Sequence, residues 1–219
     1  MTEKGNIARP VLLPLGDNAL LVRFGDRLTE AANIAAIHFA RGRAIRLIPG
    51  VLEVAPNLVS VLLRYDPRLT SFDALAAEVR LALAAAATEE MPSRYWRVPV
   101  RFDGPDIEEV AESLGMNRKG LIEAHNAAAL RVLATGFAPG FVYCGLHPPE
   151  LVVPRRTTVR PAVAAGSVLF AAGQTAVTST EVPTGWHVIG STSFRNFDAS
   201  REPPCLMTAG DVVQFEEEW

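Results

Sequence analysis

The stretch Tyr95-Trp-Arg-Val-Pro-Val-Arg-Phe102 decides how this chain divides. Its alternation of apolar and charged residues predicts a β-strand, and the elements before it leave two possible owners. Ala19-Leu-Leu-Val-Arg-Phe24 is an apolar run between Gly16-Asp-Asn18 and Gly25-Asp26, which predicts a strand between turns. From about Thr29, a suitable N-cap, to Leu47, the residues Ile34, Ile37, Ala44 and Ile48 recur at three- and four-residue steps, and Arg41 joins them through its stem. This predicts one helix, stopped by Pro49-Gly50. Val51 to Ala55 and Leu58 to Tyr65 then predict a hairpin around Pro56-Asn57. A second helix begins at Thr70 or Ser71, with Asp73 placed as in a capping box. Its buried face is predicted as Phe72, Leu75, Ala76, Val79, Ala82, Leu83 and Ala86.

If Tyr95 to Phe102 closes this group, the order is β-α-β-β-α-β, that of a ferredoxin-like split βαβ domain. If it opens the second half of the chain, the first group must complete its sheet otherwise. A boundary is expected near Ala87 to Pro92, where the alanine-rich helix gives way to charge and proline, dividing the chain into residues 1–90 and 91–219. Beyond it, Asp106 is placed to cap a helix from Ile107 to Leu114, and Asn117 one from Leu121 to Ala129. Short runs occur at Leu130–Leu133, Phe141–Tyr143, Ser167–Ala171, Trp186–Ile189 and Asp211–Phe215, separated by Gly, Pro and Thr-Ser clusters. Many short strands with turn signals predict a closed or sandwich-like β domain, so the fold class is α+β.

The 219 residues are 49% hydrophobic, which excludes disorder, and two cysteines, Cys144 and Cys205, exclude a disulfide scaffold and suit a reducing compartment. With 21 basic against 24 acidic residues and a net charge of −3, the footprint of a nucleic-acid binder is absent. No apolar run approaches the ~20 residues that span a bilayer. A soluble, cytoplasmic protein is expected. Phosphate-loop, dinucleotide and His-Glu-x-x-His motifs are missing, and the 4 histidines lie far apart in sequence, so no metal site is expected.

Candidate functional residues gather in the second half. Gly136 and Gly140 bracket aromatic residues, which either places Phe137, Phe141 and Tyr143 at a cleft mouth or, on the plainer reading, makes tight corners around core aromatics. Arg155, Arg156 and Arg160 form a local positive cluster able to clamp a carboxylate or to blunt an edge strand. Gln174 offers both a donor and an acceptor to a ligand amide or to a neighbouring turn. His125, on the apolar face of its helix, is a general-base candidate or a satisfied core residue. Cys144 has no activating base beside it in sequence, and a buried structural thiol is the plainer reading.

Together, Gly16 to Phe24, Tyr65-Asp-Pro67, Val98 to Asp106, Gly136-Phe-Ala-Pro-Gly-Phe-Val-Tyr143, Pro154-Arg-Arg156 with Arg160, Ala165-Gly-Ser-Val168, Gly173-Gln-Thr175, Gly185-Trp-His-Val-Ile-Gly190, Phe197-Asp198 and Gly210 to Phe215 resemble the family of 5-oxoprolinase B subunits. That family was formerly called allophanate hydrolase subunit 1 and includes the kinase inhibitor KipI. The resemblance implies a ferredoxin-like N-terminal domain and a cyclophilin-like β-barrel. It also implies partners resembling the A and C subunits of 5-oxoprolinase, with which the chain hydrolyses 5-oxo-L-proline to L-glutamate at the expense of ATP used by the complex. The isolated chain is then expected to be inactive. Under this resemblance Arg155 and Arg160 take the substrate carboxylate, Gln174 the lactam amide, His125 proton transfer, and Gly140, Phe141, Tyr143 and Trp186 the walls. Histidine-kinase inhibition and carboxyl transfer in urea-derivative metabolism are the alternatives that the same resemblance carries. The sequence departs from the family pattern at Leu130 (usually tyrosine), Val159 and Ala164 (prolines), and Ala176 and Thr184 (glycines).

Overall fold

The computed structural model describes residues 9–85 and 93–218. The chain falls into two compact units, Met1–Pro92 and Ser93–Trp219. Ala86 and the boundary expected at 87–92 lie outside the described residues. Among the described residues, no helix is long and apolar enough to cross a membrane.

The first unit contains β1 (Val11–Leu15), β2 (Ala19–Arg23), α1 (Glu30–Arg41), α2 (Arg43–Arg46), β3 (Val51–Pro56), β4 (Ser60–Tyr65) and α3 (Phe72–Ala85). Its sheet runs β1-β2-β4-β3, antiparallel throughout. The strands β2 and β3 flank β4. The remaining edge is β1, a strand that its Pro14 hides from period-2 reading and that an edge position tolerates. Thr29 caps α1 by accepting from the Ala32 amide at 3.2 Å, and Ser71 does the same for the Ala74 amide. The helix expected from Thr29 to Leu47 is two helices. Gly42 takes an extended ψ of 129°, and the short α2 beyond it turns Ile45 into the core. Leu20, Val22, Leu63, Phe39, Leu75 and Val79 fill that core.

The second unit opens with β5 (Tyr95–Val100), which pairs in parallel with the last strand, β13 (Val212–Glu217). Tyr95 to Phe102 therefore belongs to the second unit, and the first sheet is completed by β1 instead. Between them lie α4 (Ile107–Ser113), α5 (Arg118–Asn126), β6 (Leu130–Thr135), β7 (Val142–Gly145), β8 (Arg160–Val163), β9 (Ser167–Ala171), β10 (Gln174–Val177), β11 (Val182–Thr184) and β12 (His187–Ser191). The main sheet runs β12-β9-β10-β7-β6-β13-β5, and β11 pairs with β8 as a separate ribbon.

This sheet curls until its edges meet. Beyond β5, Arg101 exchanges backbone hydrogen bonds of 2.9 and 2.8 Å with Ser191 on β12, the Gly104 amide donates to the Ile189 carbonyl, and the Asp106 amide to that of Val188. Closure removes an open edge. The interior is packed with Val98, Val132, Cys144, Phe170, Val213 and Phe215, against which α4 and α5 lay Ile107, Val110, Leu121 and Ile122. Asn117 caps α5 through the Gly120 amide at 2.8 Å, as expected. Asp106 does not cap α4 with its side chain. Its carboxylate is drawn away to two guanidinium groups and to the Val188 amide.

At the seam the two backbones approach so closely that a Cβ on Gly104 would collide with the Val188 carbonyl oxygen and with Ile189. Gly104→Ala should lower stability by about 2 to 3 kcal/mol, the cost of forcing atoms into a packed contact. Gly120→Ala, whose Cβ would meet atoms no nearer than 3.4 Å, should not destabilise. Thermal denaturation of the two variants checks this.

Candidate functional site

Alternation along β7, β9 and β10 sorts their side chains onto two faces. Val142, Cys144, Phe170 and Val177 turn into the barrel, whereas Tyr143, Leu169, Ala171 and Ala176 turn outward. The pairing register puts Ala171 and Gly145 on either side of Gln174, and Ala176 beside Tyr143. Two alanines and a glycine thus make a low floor, over which Tyr143, Gln174 and Trp186 stand. The Tyr143 and Trp186 rings meet edge to face, 5.9 Å between centroids, and the ladder continues through Phe141 at 4.8 Å from Tyr143 to Phe137. Phe137 is 68% exposed and has a positive φ of 74°, so it stands at the tip of its loop. Gly140 has a φ of +70°, and a Cβ there would strike Phe197 and Ser179. Its carbonyl accepts from Asn196 Nδ2 and Ser179 Oγ, which anchors the loop behind the aromatics.

The arginine cluster divides into two roles. Arg156 donates to Asp106 Oδ1 at 2.9 Å, and Arg160 grips both oxygens of the same carboxylate. The Val188 amide adds a bond of 2.7 Å to Oδ2. Burial works to raise the Asp106 carboxyl, but the Arg160 hydrogen bonds, the Val188 amide and the charges of Arg160 and Arg156 outweigh it and hold it below the ordinary range. Arg155 is different. The Arg156 amide donates to the Gly185 carbonyl at 2.7 Å, tying this segment to the turn before Trp186 and setting the Arg155 guanidinium 5.7 Å over the indole. Among the described residues, Arg155 has no carboxylate partner. Burial keeps the Tyr143 phenol above its ordinary value despite the nearby charge of Arg155, so it stands as a neutral hydrogen-bonding group.

Gln174 is buried to 7% exposure, and among the described residues its Oε1 has no hydrogen-bond partner. A buried amide acceptor without a donor is costly in a folded protein. The outward face of these strands thus carries a neutral phenol and an acceptor without a donor among the described residues, and Arg155 lies over Trp186, whose ring meets Tyr143.

His125 lies elsewhere, on the inner side of the sheet at 1% exposure, with its ring against Phe102, Phe170 and Phe215. Its Nε2 and that of His147 each lie 2.8 Å from Thr175 Oγ1. The histidines that are far apart in sequence are thus neighbours, 4.9 Å between ring centroids. Among the described residues no group of His, Cys, Asp or Glu is disposed to hold a metal ion. Burial depresses His125 to about 4; burial together with the His125 ring depresses His147 to about 3. Both rings are neutral, which fixes their bonding. His125 Nδ1 faces Asn126 Oδ1 at 2.7 Å and so carries the proton; its bare Nε2 accepts from the Thr175 hydroxyl, and His147 Nε2–H donates to that hydroxyl. Sequence reading missed this cluster because Thr175 has no periodicity or motif spacing linking it to either ring. Cys144 is wholly buried, and burial pushes its thiol up to about 12, so it is inert as a nucleophile.

Two histidines held neutral make the fold acid-labile in a defined window. Their ordinary value of 6.5 applies in the unfolded chain, so stability is full above about pH 6.5 and falls as the pH drops toward 4, by about 1.4 kcal/mol per pH unit for each ring that the unfolded state protonates. Urea denaturation across this range should show the decline, and His147→Phe should make it about half as steep, leaving the contribution of His125.

The carboxyltransferase domain family, subdomain C and D, matches residues 10–207. The chain is 34% identical to the 5-oxoprolinase B subunit of Bacillus subtilis over 92% of its own length and 90% of that protein's. It is 35% identical to the 5-oxoprolinase B subunit of Escherichia coli O157:H7, covering 92% of the chain and 93% of the relative. Among solved structures it superposes on TTHA0988 with a TM-score of 0.80 and 33% identity, covering 92% of this chain but only 40% of the other, so it spans about two fifths of that longer protein. Urea carboxylase of Kluyveromyces lactis shares the fold, with a TM-score of 0.76 at 15% identity over 96% of this chain and 22% of that one. The chain belongs to the carboxyltransferase subdomain C and D family, among its 5-oxoprolinase B-subunit members.

Proposed function

We propose that this chain is the B subunit of an ATP-dependent 5-oxoprolinase, and that its outward site on β7, β9 and β10 holds the cyclic amide acid. The observation that carries this reading is the conjunction of Gln174 Oε1, a buried acceptor lacking a donor, with Arg155, a cation lacking a carboxylate among the described residues. A five-membered lactam with a carboxylate supplies both complements at once: its ring N–H donates to Gln174, and its carboxylate pairs with Arg155. The apolar ring lies on Ala171 and Ala176 between Tyr143 and Trp186. Phe141 backs Tyr143, and Gly140 with its anchored carbonyl fixes the loop that carries both.

The bulk of Ala176, where the family usually has glycine, narrows this floor and favours a small ring. Arg156 and Arg160 support the site through Asp106. With those two guanidiniums committed, the site offers a single cation among the described residues, which suits one carboxylate and not a triphosphate with its metal. Activation of the lactam by ATP is accordingly assigned to companion subunits. His125 supports the floor from inside. In this reading the first unit is ferredoxin-like, with β1 filling the edge position that a C-terminal strand usually takes, and the second is a cyclophilin-like barrel.

The test is turnover of 5-oxoproline by this chain assembled with A-type and C-type partner subunits. Arg155→Ala should raise KM about tenfold to a hundredfold, the loss expected for a charge-assisted hydrogen bond, with a much smaller change in kcat. Arg160→Ala should instead lower the unfolding temperature. Failure of the complete complex to release glutamate, or an unchanged KM for Arg155→Ala, overturns the assignment.

A further inference from the structure

The outward face of β10 presents Gln174, whose Oε1 has no hydrogen-bond partner among the described residues. The strand is short, Gln174–Val177, and Gln174 begins it directly after Gly173 at a φ of +70°. What holds this end comes from behind. Thr175, the next residue, turns inward at 0% exposure, and its hydroxyl lies between His125 Nε2 and His147 Nε2 at 2.8 Å from each. The His147 amide also donates to the Gly173 carbonyl at 2.8 Å, so one residue grips the strand end through both backbone and side chain. The two rings belong to separate elements: His125 to α5, and His147 to the segment after β7. They close on Thr175 from two directions, with the Phe170 ring packed against both.

We propose that Thr175 is a positioning residue for substrate: clamped between His125 and His147, it sets where β10 presents the Gln174 amide. The hydroxyl donates to one ring and accepts from the other, a task that serine performs and valine, equal in shape, does not. Because side chains alternate along a strand, any rotation of the backbone at Thr175 re-aims Gln174 on the opposite face. The proposal rests on the reading of Gln174 as a ligand group, and its test separates the two.

Thr175→Val and Thr175→Ser are compared in the assembled complex for 5-oxoproline KM and kcat, and in the full chain for amide hydrogen exchange at residues 173–176. Thr175→Val should raise KM about tenfold with kcat changed less, and speed exchange at those amides by at least tenfold; Thr175→Ser should restore both to within about twofold. A merely stabilising role would lower the unfolding temperature of Thr175→Val while the folded enzyme kept its KM, and that result overturns the proposal. So does failure of serine to rescue. Gln174→Ala tells the readings apart: an unchanged KM there removes the ligand role of Gln174, whereas faster exchange in Thr175→Val still reports the clamp. Should Thr175→Val not fold, His147→Phe keeps a ring against Phe170 and removes one of the two bonds. A raised KM with faster exchange then supports the clamp, and unchanged values contradict it.

Discussion

The Asp106 carboxylate is the point on which the second unit turns. At 3% exposure it would be costly to bury as a bare charge, and it is tolerated because two guanidiniums and a backbone amide surround it. Those bonds have three consequences. The Val188 amide joins Asp106 to β12, so the seam that closes the sheet is reinforced by a charged group beside the strand exchange of Arg101 with Ser191. Arg156 and Arg160 are drawn onto the barrel, which fixes the segment that lies against the turn at Gly185. And Arg155, which precedes both committed arginines, is left over Trp186 to meet a ligand.

What the site can recognise is set by that division of charge. An arginine cluster in sequence looks like a broad anion site, but in the folded protein two of its three guanidiniums are engaged internally, Arg160 by Asp106 and Arg156 by Asp106 and, at 3.5 Å, Glu109, and Arg155 is left over the Trp186 ring. The missing partner of Gln174 Oε1 adds the second half of the recognition. Gln174 stands on the outward face of β10, and Thr175 on its inward face meets the neutral His125 and His147. Binding chemistry and its support therefore share the backbone of β10.

Much of this was legible from the chain itself, for local reasons. Apolar and β-rich runs between turn signals marked β2, β4, β9 and β13, and Thr29 and Asn117 announced their helices, because capping is decided within four residues. The failures were non-local. Asp106 has the spacing of a helix cap, and only the arrival of Arg156 and Arg160 from fifty residues away in sequence diverts it. Gly42 breaks a helix whose periodicity runs on, because Ile45 gains more by turning into the core. Tyr95 to Val100 has strand character in any context, and its partner β13 stands at the far end of the chain. Tyr143, Gln174 and Trp186 were picked out individually, but their common face depends on register, which turns and bulges set and composition does not reveal.

The central claim is that one face of β7, β9 and β10 binds a small cyclic amide acid through Arg155 and Gln174. A crystal structure of the assembled complex with 5-oxoproline tests it most directly. The account requires the ligand carboxylate on the Arg155 guanidinium and the ring N–H on Gln174 Oε1, with Arg160 still on Asp106. Ligand bound at a different face of this chain, or a carboxylate held by Arg160 after its release from Asp106, would contradict it.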